Sequence, residues 1–224
     1  TDTLLKNFVP TLGRPAVVIA GPPCQGYSIA GPREPSAARN FLYKEVIRIA
    51  AASQAASVVI ENVPGALRVG TEVIADSIET ELQALGFVAR RFILEGPDYG
   101  VPQRRRRIFF VAIERARDVT PTEPPPTAAR AGIGDSRLPT TLSLEATLRK
   151  LPERESGVQD DAMVLREGLI VYNAATMAHA PRVVAKIAEI SPGSGPLSYR
   201  RLPMDVAQTI IAGHRALPVH PWLH

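Results

Sequence analysis

The chain alternates between short apolar runs and polar, turn-forming punctuation. Residues 16–20 read AVVIA, a β-branched run closed by Gly21-Pro22-Pro23, which is the pattern of a buried strand feeding a tight loop. Residues 57–60 repeat that pattern and run into the polar turn Glu61-Asn62-Val63-Pro64-Gly65. Between the two runs, over residues 41–56, Leu42, Val46 and Ile49 recur at helical spacing, so a strand–helix–strand crossover with parallel strands is expected. Both loops then open on one rim of the sheet. After Gly70 a second helix carries Ile74, Ile78, Leu82 and Leu85 on one face and should stop at Gly86. Strands at 87–94 and 107–113 flank the turn-rich segment EGPDYGVPQRRRR and should pair as an antiparallel hairpin at the sheet edge.

Pro121, Pro124, Pro125 and Pro126 then form a stiff extended linker, which places a domain boundary there: residues 1–118 as an α/β domain and 119–224 as a smaller, loop-rich α+β module. In the second part, helices are expected at 144–151 and 181–190, followed by the turn-rich SPGSGP. No internal repeat is visible.

With 224 residues, 45% of them hydrophobic, the chain can bury a substantial core. No apolar run approaches the ~20 residues of a membrane span, and the polar start lacks the order of a signal peptide, so an intracellular, cytoplasmic home is expected. The formal charge of +4 discriminates little, but its distribution says more: Arg104, Arg105, Arg106 and Arg107 are consecutive, and Arg90 and Arg91 lie shortly before them. Arginine outnumbers lysine 22 to 4, which suits contacts to phosphates and base edges, although genomic base composition produces the same bias. Cys24 is the single cysteine, which rules out an internal disulfide and any multi-cysteine zinc site. His214, His220 and His224 have spacing compatible with a metal but lack a nearby cysteine or acidic partner, so no metal is expected.

In a parallel α/β sheet, ligands gather beyond the carboxyl ends of the strands, where the loops carrying Cys24 and Glu61 would converge. A cysteine there, with arginines near, can act as a thiolate nucleophile. The plainer alternatives are a buried core cysteine, a Glu61 that caps a turn, and an arginine run that is a solvated face. The rigid, polar flanks of Cys24 (two prolines before it, Gln25-Gly26-Tyr27-Ser28 after it) favour function.

Taken together, GPPCQGYS, ENVPG and DYGVPQRRRRIFFVA resemble the DNA (cytosine-5)-methyltransferases in order and spacing, with Glu61 37 residues after Cys24 and Gln103 42 after Glu61. The resemblance takes in Arg39-Asn40-Phe41-Leu42-Tyr43 and covers residues 16–113 well. It is looser over YNAATMAHAPRV, ISPGSGPLSYRRLP and TIIAGHRALPVHP.

The resemblance implies part of a Rossmann-like S-adenosylmethionine-dependent methyltransferase sheet joined to a target-recognition module. It assigns Cys24 as the nucleophile that adds to carbon 6 of cytosine. Glu61 is the residue that hydrogen-bonds the ring nitrogen and exocyclic amine. Arg107 contacts the base carbonyl and a phosphate, and Gln103 and Arg105 order the pocket. Gln25 and Ser28 match positions on the flipped nucleotide's backbone, while Pro23 and Leu42 match the lining of the S-adenosyl-L-methionine pocket. Double-stranded DNA is the implied partner, with the target base turned out of the stack.

The family's glycine-rich cofactor turn and closing motif find no match here. The chain therefore reads as a fragment whose strand at 16–20 needs a complementing chain or further parts of the same chain beside it. Three classes remain: DNA cytosine-5 methylation, RNA methylation within the same superfamily, and an inactive DNA-binding remnant. In the leading class the enzyme belongs to a restriction–modification system or acts alone.

Overall fold

The computed structural model describes residues 6–7, 13–23, 41–67, 74–130, 137–149, 164–166, 169–171, 181–195 and 203–208. The chain forms two compact units, one comprising Thr1–Glu95 and Arg106–Pro125, the other Gly96–Arg105 and Pro126–His224. In chain order the first strands are β1 (Val18–Ala20), β2 (Ser57–Asn62), β3 (Phe87–Glu95), β4 (Gln103–Arg104) and β5 (Arg106–Glu114), with helices α1 (Tyr43–Ala52) and α2 (Ile74–Ala84) among them.

The first unit is built on a four-stranded sheet in the order β1-β2-β5-β3. β1 and β2 are parallel, with Val18 opposite Val58 and Ala20 opposite Ile60, as the crossover pattern predicts. β5 is antiparallel to both neighbours, pairing Glu61 with Phe109 on one side and Phe92 with Phe109 on the other. The expected β3–β5 hairpin is present; β3 takes the end of the sheet and β5 lies inside it.

Strand pleating gives this sheet two unlike faces. Val58 and Ile60 of β2 and Ile108, Phe110 and Ala112 of β5 are fully buried and share one cluster with Ala89 of β3 and with residues of both helices. The alternate positions Val59, Glu61, Arg107, Phe109 and Val111 lie on the other face and are half-buried. Ile19 of β1, on that same second face, is 72% exposed.

The helical phase of α1 differs from the sequence expectation. The buried stripe is Tyr43, Val46, Ile47 and Ala50. Leu42 becomes the N-cap residue, 36% exposed, and Ile49 is only half-buried. Tyr43 can bury its ring because its hydroxyl reaches Oε1 of Glu81 on α2 at 3.4 Å, leaving a polar tip with a partner. On α2, Ile74, Ala75, Ile78 and Leu82 are buried, but Leu85 lies beyond the helix end and is 44% exposed. Gly86, at φ +88°, adopts the left-handed conformation that ends the helix.

The second unit contains short elements: β6 (Val164–Arg166) with β7 (Leu169–Val171), β4 with β8 (Ala207–Gln208), α3 (Leu144–Leu148) and α4 (Pro181–Ala188). Helices were expected at 144–151 and 181–190, and both occur in shorter form. Ser143 caps α3 by accepting from the Ala146 amide.

A clasp secures the segment that leads to Gln103. Arg130 Nε and Nη2 each lie 2.7 Å from a carboxylate oxygen of Asp98, a two-pronged pairing. The Asp98 carbonyl also accepts from the amides of Thr127 and Ala128 at 3.0 Å, and the Thr141 hydroxyl donates to the Pro97 carbonyl. Gly96 closes the loop, its amide donating to Arg105 at 2.9 Å; a Cβ there would lie 2.8 Å from the Gln103 carbonyl oxygen, so only glycine fits.

Two predictions follow from this packing. Replacing Arg130 with Met should lower the stability of the second unit by about 1 kcal/mol, measured by urea unfolding, because the pair is partly exposed and its energy screened. The second concerns Glu79, whose side chain is 20% exposed beside Arg91 at 3.5 Å. Burial, outweighing Arg91, raises its pKa above its ordinary 4.5. A raised carboxyl pKa favours folding below the unfolded value and loses that contribution as pH rises through the folded one. Glu79→Gln should therefore gain stability relative to the wild type as pH climbs from 4 to 7; urea midpoints across that range that stay parallel would contradict it.

Candidate active site

The parallel strands β1 and β2 both end at one rim of the sheet, and the antiparallel β5 begins there. That topology gathers three segments of the first unit: Gly21-Pro22-Pro23 after β1, Glu61-Asn62 at the end of β2, and Arg106-Arg107 at the start of β5.

Glu61 and Arg107 meet through register. Glu61 is opposite Phe109, and Arg107 lies two residues before Phe109 on the same face, so the two side chains are diagonal neighbours across the strand pair. Arg107 Nε lies 2.7 Å from Glu61 Oε1, with side chains 18% and 33% exposed. Arg107 Nη1 also donates to the carbonyl of Arg106 at 2.8 Å, fixing the guanidinium at a second point. Such a partly enclosed, charge-assisted pair orients a carboxylate more firmly than a solvated one.

The loop after β1 approaches the same carboxylate. A Cβ at Gly21 would sit 3.4 Å from Glu61 Oε2, so the missing side chain keeps this oxygen uncovered by a methyl group. Pro23, the last described residue before Cys24, is exposed at the rim. At the outer corner of the hairpin, Arg106 pairs with its directly opposed partner Glu95 at 3.0 Å.

The structure thus brings Glu61 and Arg107 together. Gln103 is half-buried and Arg105 exposed, both within the second unit, where β4 pairs with β8 in parallel, Gln103 opposite Ala207. Leu42 stands at the head of α1. Cys24, Gln25 and Ser28 lie outside the described residues, as do His214, His220 and His224. Among the described residues no group of His, Cys, Asp and Glu could hold a metal ion, and no helix is long and apolar enough to cross a membrane.

Sequence reading passed over Asn62. It is 6% exposed, its Oδ1 accepts from the Val63 amide at 2.8 Å, and its Nδ2 donates to the Pro22 carbonyl at 3.4 Å. The available signal was an amide ending an apolar strand at a position whose alternation points inward.

As a chemical unit, this rim offers a carboxylate held by a guanidinium beside a proline-stiffened loop leading to the single thiol. Comparison with known proteins gives the setting. A family model described as C-5 cytosine-specific DNA methylase matches residues 5–194. The type II methyltransferase M.DdeI of Desulfomicrobium norvegicum is 32% identical over 194 residues, covering 79% of this chain and 45% of that protein. M1.HphI of Haemophilus parahaemolyticus is 28% identical over 201 residues, covering 87% and 48%. The chain therefore spans about half the length of these relatives. The solved structure of a DNA modification methyltransferase encoded within an E. coli prophage matches with a TM-score of 0.71 at 19% identity, over 99% of this chain and 68% of that one, so the mixed α/β fold is shared. The 190-residue family match, joined to this fold, establishes that the chain belongs to the C-5 cytosine-specific DNA methylases.

Proposed function

We propose that the protein methylates carbon 5 of cytosine in double-stranded DNA through a covalent adduct between Cys24 and carbon 6 of a flipped base. The observation that carries this reading is the Glu61–Arg107 pair at 2.7 Å on the rim reached by the loop into Cys24. Carbon 5 of cytosine is a weak nucleophile. Addition of a thiolate at carbon 6 makes it a strong one, and negative charge then develops on the ring and its carbonyl. Glu61 hydrogen-bonds the ring nitrogen and exocyclic amine in this scheme, and Arg107, poised beside it, stabilises the developing charge at the carbonyl. Turning the base out costs roughly a few kcal/mol of stacking, which Gln25 and Ser28 offset through the nucleotide backbone while Gln103 and Arg105 order the pocket.

When bound, S-adenosyl-L-methionine supplies the electrophilic methyl group. Pro23, exposed at the rim, and Leu42, 36% exposed at the head of α1, are apolar surfaces suited to the edge of its pocket. In this proposal residues 1–118 do the chemistry and 119–224 read the target, in the cytoplasm. The outer edge of β1 takes a strand from further parts of the same chain or from a complementing chain.

The covalent step gives the test. The chain, and in parallel a form extended at both ends, is mixed with S-adenosylmethionine and duplex DNA containing 5-fluorocytosine. A denaturation-resistant adduct that disappears in Cys24→Ala is expected. DNA binding without an adduct in either form would sink the proposal and leave a DNA-binding role without catalysis. In the form that reacts, Glu61→Gln should slow adduct formation by about 10²- to 10³-fold, the scale of losing a preorganised electrostatic contact. Arg107→Lys should also be slow, since an ammonium keeps the charge but loses the planar fork; full activity in either variant would remove that residue from the mechanism.

A further inference from the structure

We infer that Asn62 is a positioning residue for this reaction, tying the loop that enters Cys24 to the strand end that presents Glu61. The inference rests on the proposed Cys24 chemistry and assigns no substrate contact to Asn62.

Its environment makes the case. Asn62 is the last residue of β2, and pleating points its side chain to the helix-facing side, below fully buried Val58 and Ile60, while Glu61 points to the other. An amide among hydrocarbon neighbours destabilises the fold unless it is hydrogen-bonded, and a leucine of similar size would fill the space without that cost. Asn62 is bonded at both ends of its amide. Because Val63 offers an N–H and Pro22 a carbonyl, only one orientation serves both: Oδ1 toward Val63 at 2.8 Å and Nδ2 toward Pro22 at 3.4 Å.

Those two partners are the first backbone group beyond β2 and a carbonyl two residues before Cys24. β1 ends at Ala20, and neither Pro22 nor Pro23 has an amide hydrogen, so the backbone of these two residues can be fastened only through its carbonyls. A side-chain donor from the neighbouring strand answers that need. On the opposite side, Gly21 packs against Glu61 without a side chain, 3.4 Å from Oε2 to the position a Cβ would take. Consecutive residues Glu61 and Asn62 therefore bracket the loop from the two faces of β2.

The test uses the form of the protein that yields the Cys24 adduct. Adduct rate under single-turnover conditions, DNA affinity and thermal midpoint are measured for the wild type, Asn62→Ala and Asn62→Asp. Alanine removes both bonds. The aspartate substitution keeps the acceptor for Val63 and, when ionised, replaces the donor to Pro22 with a repelling oxygen at nearly unchanged side-chain volume. Both should lose about 10²-fold in adduct rate, the scale of a displaced reacting group, with DNA affinity within about twofold. An adduct rate close to wild type in either folded variant overturns the positioning role, as does a rate loss that merely follows the unfolded fraction or the weakening of DNA binding. If the wild type itself forms no adduct, the proposed function fails first and this inference falls with it.

Discussion

The register between β2 and β5 is the constraint on which the rim depends. With Glu61 opposite Phe109, Arg107 lands diagonally from Glu61 on the half-buried face, and Ile60 and Phe110 face each other beneath the helices. A slip of one residue in β5 would turn every side chain over, placing Arg107 among hydrocarbon and Ile108 beside the carboxylate. Two features oppose such a slip: β5 is paired with β3 along its length and with β2 from Ile108 to Ile113, and its buried Ile108, Phe110 and Ala112 lie opposite the buried Asn62, Ile60 and Val58 of β2. The ion pair is thus a product of hydrophobic burial on the other face of the sheet, and its own energy need contribute little to the fold.

The loop that closes the β3–β5 hairpin is held by a different set of forces. Gly96 and Arg105 join through the backbone, while Asp98, Pro97 and Arg130 bind the loop's outer part to the residues around 127 and 141. Four arginines in a row consequently have unlike surroundings. Arg104 and Arg105 are exposed in the second unit, Arg106 faces Glu95, and Arg107 faces Glu61. Strand alternation and the chain's passage between units divide what the sequence prints as one basic run.

Much of the first unit is legible in the sequence because its signals are local. The apolar run before Glu61, the spacing of Ile74, Ile78 and Leu82, and Gly86 as a stop reflect burial and backbone freedom within a few residues, whereas AVVIA, expected as a buried strand over 16–20, is a strand only at Val18–Ala20 and is half-buried or exposed throughout. The phase of α1 was misread, since Leu42 and Ile49 are more hydrophobic than Tyr43 and Ala50, yet tertiary packing buries the latter pair, with Glu81 of α2 meeting the tyrosine hydroxyl. β4, β6, β7 and β8 are two or three residues long and too short to show a period. The Glu61–Arg107 contact and the burial of Asn62 depend on which strands become neighbours, a non-local outcome that neither segment encodes alone.

The two-faced sheet has a consequence for how such a chain can change over time. In β2 and β5, residues adjacent in sequence answer to separate demands. Val58, Ile60, Ile108 and Phe110 must jointly fill a volume against two helices, and drift in one can be compensated by another of that set. Glu61 and Arg107 have no such latitude, because a chemical partnership tolerates no exchange of bulk. Along these strands, substitution should therefore proceed at two tempos, with the slow pair Glu61 and Arg107 set directly beside permissive core positions, so that a single strand carries two evolutionary clocks.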